Sequence, residues 1–199
     1  MKKNKKQKGF TLIELLVVIA IIAILAVVVV LTLNPAELLR QARDSNRISD
    51  FATVKSAIAL YQTDVATTTS MDSSTSATTT GVLYTANVST TVAFATGTLG
   101  FSANETSIVA TTTRSVNGTG WIPINLTAIS SGAPLGVWPV DPTNSGVSST
   151  YDYAATTTSW KISTTMESAK YKTGGPSDVQ SFDGGSSINA YEQGSNLAL

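Results

Sequence analysis

Lys8-Gly9-Phe10-Thr11-Leu12-Ile13-Glu14-Leu15-Leu16 joins a run of lysines to a long apolar segment, and one carboxylate sits inside that segment. From Phe10 to Leu33 the only polar side chains are Thr11, Glu14 and Thr32. As a helix rising about 1.5 Å per residue, the segment is long enough to span a hydrocarbon layer of roughly 30 Å. Lys2, Lys3, Lys5, Lys6 and Lys8 precede it with no acidic residue among them, so the positive-inside rule leaves the N-terminus cytoplasmic and the chain after Leu33 outside.

A secretory signal has a shorter apolar region followed by a small-residue cleavage site. Here Ala23 and Ala26 lie inside a continuing apolar run, and polarity breaks instead between Gly9 and Phe10. A cut at that bond removes all five lysines, keeps the membrane helix and creates a positive α-amine on Phe10, one helical turn before Glu14. An unpaired carboxylate at membrane depth costs on the order of 2.5–3.5 kcal/mol. Glu14 is therefore expected either to be protonated or to pair with a cation, and the Phe10 amine of its own or a neighbouring chain is the one within reach.

Gly9-Phe10-Thr11-Leu12-Ile13-Glu14 closely resembles the class III signal of type IV prepilins and pseudopilins. The resemblance implies a cut after Gly9 by a membrane-embedded prepilin peptidase, methylation of the new terminus at Phe10, and a role for Glu14 in docking subunits into a filament. The implied partners are the peptidase, an inner-membrane assembly platform, other copies of the chain with minor pilins in a helical filament, and membrane lipid before assembly. The implied location is the cytoplasmic membrane, as a single-pass protein, and then an extracellular pilus or a periplasmic pseudopilus. The alternative without the resemblance is a plain signal anchor.

Composition narrows the chemistry. The chain has no cysteine and no histidine, which excludes disulfides, thiolate zinc sites, Ser-His triads and cysteine nucleophiles, and no convincing carboxylate pair stands out as an active site. An enzyme is not expected. Removing five of the thirteen basic residues leaves eight against thirteen acidic ones, a net charge of −5, so no specific nucleic acid is predicted as a partner. The 166 residues after Leu33 suffice for one domain with its own core.

Six segments are expected: a leader at 1–9, a membrane or filament-core helix at 10–33, an amphipathic helix at 34–62, Thr/Ser-rich loops and short strands at 63–120, a β-sheet at 121–173, and a Gly/Asp-rich tail at 174–199. Asn34-Pro35 bends or restarts the helix. Beyond it Leu38, Ala42, Ile48, Phe51, Val54, Ile58 and Tyr61 recur at helical spacing with a gap at Ser45, while Arg40, Arg43, Asp44, Arg47, Asp50 and Lys55 fill the other side. The arginines are expected to pair with Glu37, Asp44 and Asp50 along the helix surface and to meet neighbouring subunits, rather than to bind lipid or DNA.

Of the 58 residues from Thr63 to Gly120, 18 are threonine and 8 serine, too few apolar groups for much core. Val82–Thr85, Thr91–Ala95 and Ser107–Thr111 are candidate strands and Thr67–Gly81 a loop. Asn-x-Ser/Thr triplets begin at Asn87, Asn104, Asn117 and Asn125, in a chain so rich in serine and threonine that chance matches are expected. Trp121–Leu126 is a candidate edge strand with a proline in it, and Trp138 to Asn144 a turn-rich connection. A hairpin follows, Thr150–Ala155 and Ser159–Thr164, with Tyr151, Tyr153, Trp160 and Ile162 as the surface that covers the helix stripe.

The turn and hairpin also resemble, more loosely, those of pilins and the major pseudopilin of type II secretion. Major pseudopilins bind calcium in a C-terminal Asp/Gly loop; here Asp178 and Asp183 are the candidate ligands, with ordinary Asp-Gly turns as the alternative. The fold expected is α+β: a long N-terminal helix, its first half in the membrane and its second half amphipathic, packed on a single antiparallel sheet as in pilins. Leu197 and Leu199 are expected to cover the sheet edge or a neighbouring subunit. Three functions stay open: a structural subunit of a type IV pilus or related filament, a pseudopilin of a type II secretion or DNA-uptake system, and a membrane-anchored surface adhesin.

Overall fold

The computed structural model of the chain describes residues 9–65, 71, 82–87, 99–101, 107–145, 149–156 and 159–199. The expectations for the leader before Gly9, for a strand at Thr91–Ala95 and, apart from Met71, for the loop at Thr67–Gly81 lie outside them. The chain divides into two units, Met1–Leu39 and Arg40–Leu199.

In the first unit α1 runs from Leu12 to Leu33. Its stretch Leu12–Val30 is long and apolar enough to cross a membrane. Thr11 caps its start and Asn34, with φ 40° and ψ 74°, ends it in the left-handed region, a conformation asparagine tolerates better than most residues. Pro35 opens α2, Pro35–Asp64, at the first helical position, where its missing N–H costs nothing. The bend expected at Asn34-Pro35 is thus a complete stop and restart.

Among the described residues of the second unit five strands form one sheet: β1 (Val82–Thr85), β2 (Ser107–Ala110), β3 (Asp152–Ala155), β4 (Trp160–Thr164) and β5 (Tyr191–Gly194), in the order β2-β1-β3-β4-β5. The architecture is α+β, the pilin-like arrangement of an apolar N-terminal helix, a second helix and a largely antiparallel sheet. Only the β1–β2 pair at one edge is parallel. The tail does more than cover an edge: Tyr191–Gly194 is itself the edge strand, in register with Lys161–Thr164. Trp121–Leu126 is not a strand. Asn125 forms an isolated bridge with Asn117, and Leu126–Ala128 is a 3-10 turn, because Trp121, Ile122, Ile124 and Leu126 are all drawn into the core.

Alternation along the strands gives the sheet two buried faces. Tyr84, Tyr153, Ala155, Trp160 and Ile162 join Phe51, Val54, Ile58 and Tyr61 of α2 in the main core, closed by Trp121, Leu126 and Trp138. Phe51 meets the Tyr151 ring edge-on at 5.1 Å and stacks on Tyr191 at 5.4 Å. On the other face Leu83 and Ala154 pack with Leu99 and Phe101. There Lys161 and Glu192, both fully buried, pair at 3.1 Å, and the Lys161 ammonium donates to the carbonyls of Gly100, Leu197 and Leu199.

The helix stripe differs from the expected one. Leu38 and Ala42 are exposed, and the buried series runs Asp44, Arg47, Phe51, Val54, Ala57, Ile58, Tyr61. Arg47 is therefore a buried residue of the core-facing side and not part of a solvated face. Its guanidinium reaches Asp44 at 2.7 Å, Asp141 at 2.7 and 3.0 Å, and Glu167 at 2.5 Å, while Arg43 pairs with Glu167. Burial is tolerated because the fork of donors meets three carboxylates from separate segments.

Candidate processing and assembly site

Gly9 and Phe10 are exposed, Phe10 to 90 %, and a Cβ added at Gly9 would meet nothing within 4 Å. The fold of the described residues therefore does not require a glycine there. One residue further on, Thr11 begins the helix. Its hydroxyl oxygen accepts from the Glu14 N–H at 3.3 Å, and Glu14 Oε2 accepts from the Thr11 N–H at 2.8 Å and the Thr11 hydroxyl at 2.7 Å. This is a reciprocal capping box, and it satisfies donors that every helix leaves unpaired in its first turn.

The carboxylate of Glu14 thus has partners within its own first turn, where the positive end of the helix dipole also favours it. These neutral donors stand beside, and do not replace, the cation or proton expected for Glu14 at membrane depth. The signal was present in the sequence, since Thr-x-x-Glu before an apolar run is a capping box.

Asp178 and Asp183 sit in separate turns of the tail. Asp178 accepts from the backbone N–H groups of Gln180 and Ser181 through Oδ1 and of Gly174 through Oδ2. The Ser181 N–H, chiefly, holds its pKa below the ordinary carboxylate range. Asp183 accepts from Gly185 at 2.7 Å and from Glu192 at 2.6 Å, and burial pushes its pKa up. Among the described residues no group of three or more His, Cys, Asp or Glu side chains could hold a metal ion. The bonds both carboxylates make are those of turn formers.

Residues 4–30 match the family model of the prokaryotic N-terminal methylation motif. No curated protein and no solved structure matches the chain. The chain carries a type IV prepilin-like class III signal, and Gly9-Phe10, the capped start of α1 and Glu14 fall within the matched residues. Motif and apolar helix together support a type IV pilin- or pseudopilin-like exported protein anchored by a single pass, processed by a prepilin peptidase and able to assemble into filaments. The motif is that of a structural family and not of an enzyme family.

Proposed function

We propose that the chain is a structural subunit of a type IV pilus or related filament, cut between Gly9 and Phe10, methylated on the Phe10 amine and assembled through α1 with Glu14 as the docking carboxylate. The observation that carries this reading is an exposed Gly-Phe junction immediately before a capped apolar helix with one acidic side chain in its first turn. Hydrolysis of the Gly9–Phe10 amide leaves a carboxylate on the leader and an amine on the helix; methylation keeps that amine cationic. Before assembly the capping box spreads the Glu14 charge over the Thr11 donors. In the filament the Phe10 amine of an adjoining subunit supplies the counter-charge, and leaving that amine unpaired in a low-dielectric core costs on the order of 3–5 kcal/mol.

The experiment compares Glu14→Gln with Glu14→Leu as the only subunit in the cell. Glutamine retains the acceptor of the capping box and removes the charge; leucine removes both. Both variants are expected to be inserted and processed, with Phe10 as the N-terminus by mass spectrometry, and both to yield few or no filaments. Normal filament yield from Glu14→Gln would reduce the role of Glu14 to capping. A mature terminus at Met1 or near Ala26 would sink the processing reading itself.

A further inference from the structure

Two Asn-x-Thr triplets lie wholly within the described residues, Asn117-Gly118-Thr119 and Asn125-Leu126-Thr127, and they are built alike. In each, the asparagine Oδ1 accepts both polar hydrogens of the threonine two residues on. The backbone N–H donates at 3.2 and 3.1 Å, and the hydroxyl at 2.7 and 2.6 Å. Neither Nδ2 has a hydrogen-bond partner among the described residues. By contrast, Nδ2 of Asn144 donates to the Ala86 carbonyl.

Asn117, Thr119 and Thr127 are exposed and Asn125 half-buried. The two asparagines oppose each other across the isolated antiparallel bridge, so their Cα atoms lie about 5 Å apart and their side chains share one surface. Beneath them Trp121, Ile122, Ile124 and Leu126 are buried, which fixes the segment as a platform.

We propose that Asn117 and Asn125 are acceptors for N-linked glycosylation by a membrane-bound transferase that uses a glycosyl diphospholipid. The proposal rests on the reading that this part of the chain is exported. An amide nitrogen is a poor nucleophile because its lone pair is delocalised into the carbonyl. Two donors on Oδ1 stabilise the negative charge that gathers on that oxygen as Nδ2 gives up a proton, the same electrostatic help that an oxyanion hole gives. In the transfer the bond from Nδ2 to the anomeric carbon forms as the bond from that carbon to the diphosphate oxygen breaks. The lipid diphosphate leaves with the electron pair, and the Nδ2 proton passes to a carboxylate of the transferase. No oxidant or reductant enters. An Asn-x-Thr triplet on an exported surface is the substrate such enzymes take.

The test is intact-mass and peptide mass spectrometry of the full chain purified from the cells that produce it. A glycan mass is expected on peptides containing Asn117 or Asn125, absent from the corresponding site in Asn117→Gln and Asn125→Gln. It is expected to persist in Thr119→Ser and Thr127→Ser, which keep the hydroxyl, and to be lost in Thr119→Val and Thr127→Val, which keep the shape without it. Unmodified peptides from a chain that begins at Phe10 would overturn the proposal and leave the export reading standing. Unmodified peptides from a chain that begins at Met1 would overturn both.

Discussion

Arg47 shows how much a single side chain can hold. It is fully buried, and burial alone would lower its pKa; the bonds and charge of Asp141, with those of Glu167 and Asp44, overcome this and hold the guanidinium above its ordinary value. Asp44 in turn accepts the Glu167 and Ser168 N–H groups, so one arginine fastens α2 to two separate stretches of the polypeptide. Arg47→Ala leaves the Asp44 and Asp141 carboxylates buried without their cation, and the expected loss is about 3–5 kcal/mol. Arg47→Lys restores a charge but not the fork of donors, so a smaller loss is expected. Urea denaturation of the full chain in detergent measures both, and a loss in Arg47→Ala no larger than that of an exposed ion pair would contradict the account. Sequence pattern alone placed Arg47 on a solvated side, because a charged residue is normally found there. Its spacing with Phe51, Val54, Ile58 and Tyr61 was the available clue to the buried phase.

Among the elements, those with a strong local pattern were legible and those defined by partners were not. Val82–Thr85, the two hairpin strands and the apolar half of α2 announce themselves by β-branched or aromatic residues at the right period. The side chains named for the hairpin, Tyr151, Tyr153, Trp160 and Ile162, are all in the main core. β5 carries no such pattern: in Tyr191-Glu192-Gln193-Gly194 the one fully buried side chain is a glutamate, matched to Lys161 on the neighbouring strand, and no single segment contains that information. The parallel pairing of β1 with β2 was equally illegible, since it depends on the 21-residue connection between Thr85 and Ser107, which carries no turn motif or sustained period that would set the direction of the returning strand. Around Gly9-Phe10 the methylation motif was legible because its signal is local, yet the capping box of Thr11 and Glu14 was overlooked although it too is local. The tail supplies a test at this scale. Asp178 and Asp183 are each engaged by backbone donors, so adding a chelator or millimolar calcium is expected to leave the thermal midpoint of the full chain unchanged. A midpoint that rises with calcium and falls with chelator would establish a bound ion, because a ligand held only by the native state stabilises it by mass action.

Across the whole molecule, carboxylates in opposite environments set the dependence of stability on pH. Burial pushes Asp152 up from 3.8 to about 7; the hydroxyls of Thr150 and Thr85 resist this, and the charge of Asp141 adds to it. Asp50 and Asp183 are raised by burial as well. Glu167 goes the other way, from 4.5 to about 2, chiefly through its bond to Arg43, with Arg47 and Thr143 assisting against the effect of burial. Between pH 3.8 and about 7 the native state holds a proton on Asp152 that the unfolded chain has released, so stability falls as pH rises through this window, by roughly 4 kcal/mol. Between about 4.5 and 2 the unfolded chain takes up a proton on Glu167 that the native state refuses; stability is full above that window and falls as pH drops through it, by an amount that solvent screening of this partly exposed pair reduces. The two slopes meet at a maximum near pH 4–5, on the acidic side of neutrality. Denaturation of the full chain in detergent at about pH 3, 4.5, 6 and 8 is expected to trace that maximum. Asp152→Asn, which cannot ionise, is expected to flatten the decline on the alkaline side and to leave the acid limb in place, and a wild-type stability that climbs steadily from about pH 4.5 to 8 would contradict the assignment of Asp152 as a buried, proton-retaining carboxyl.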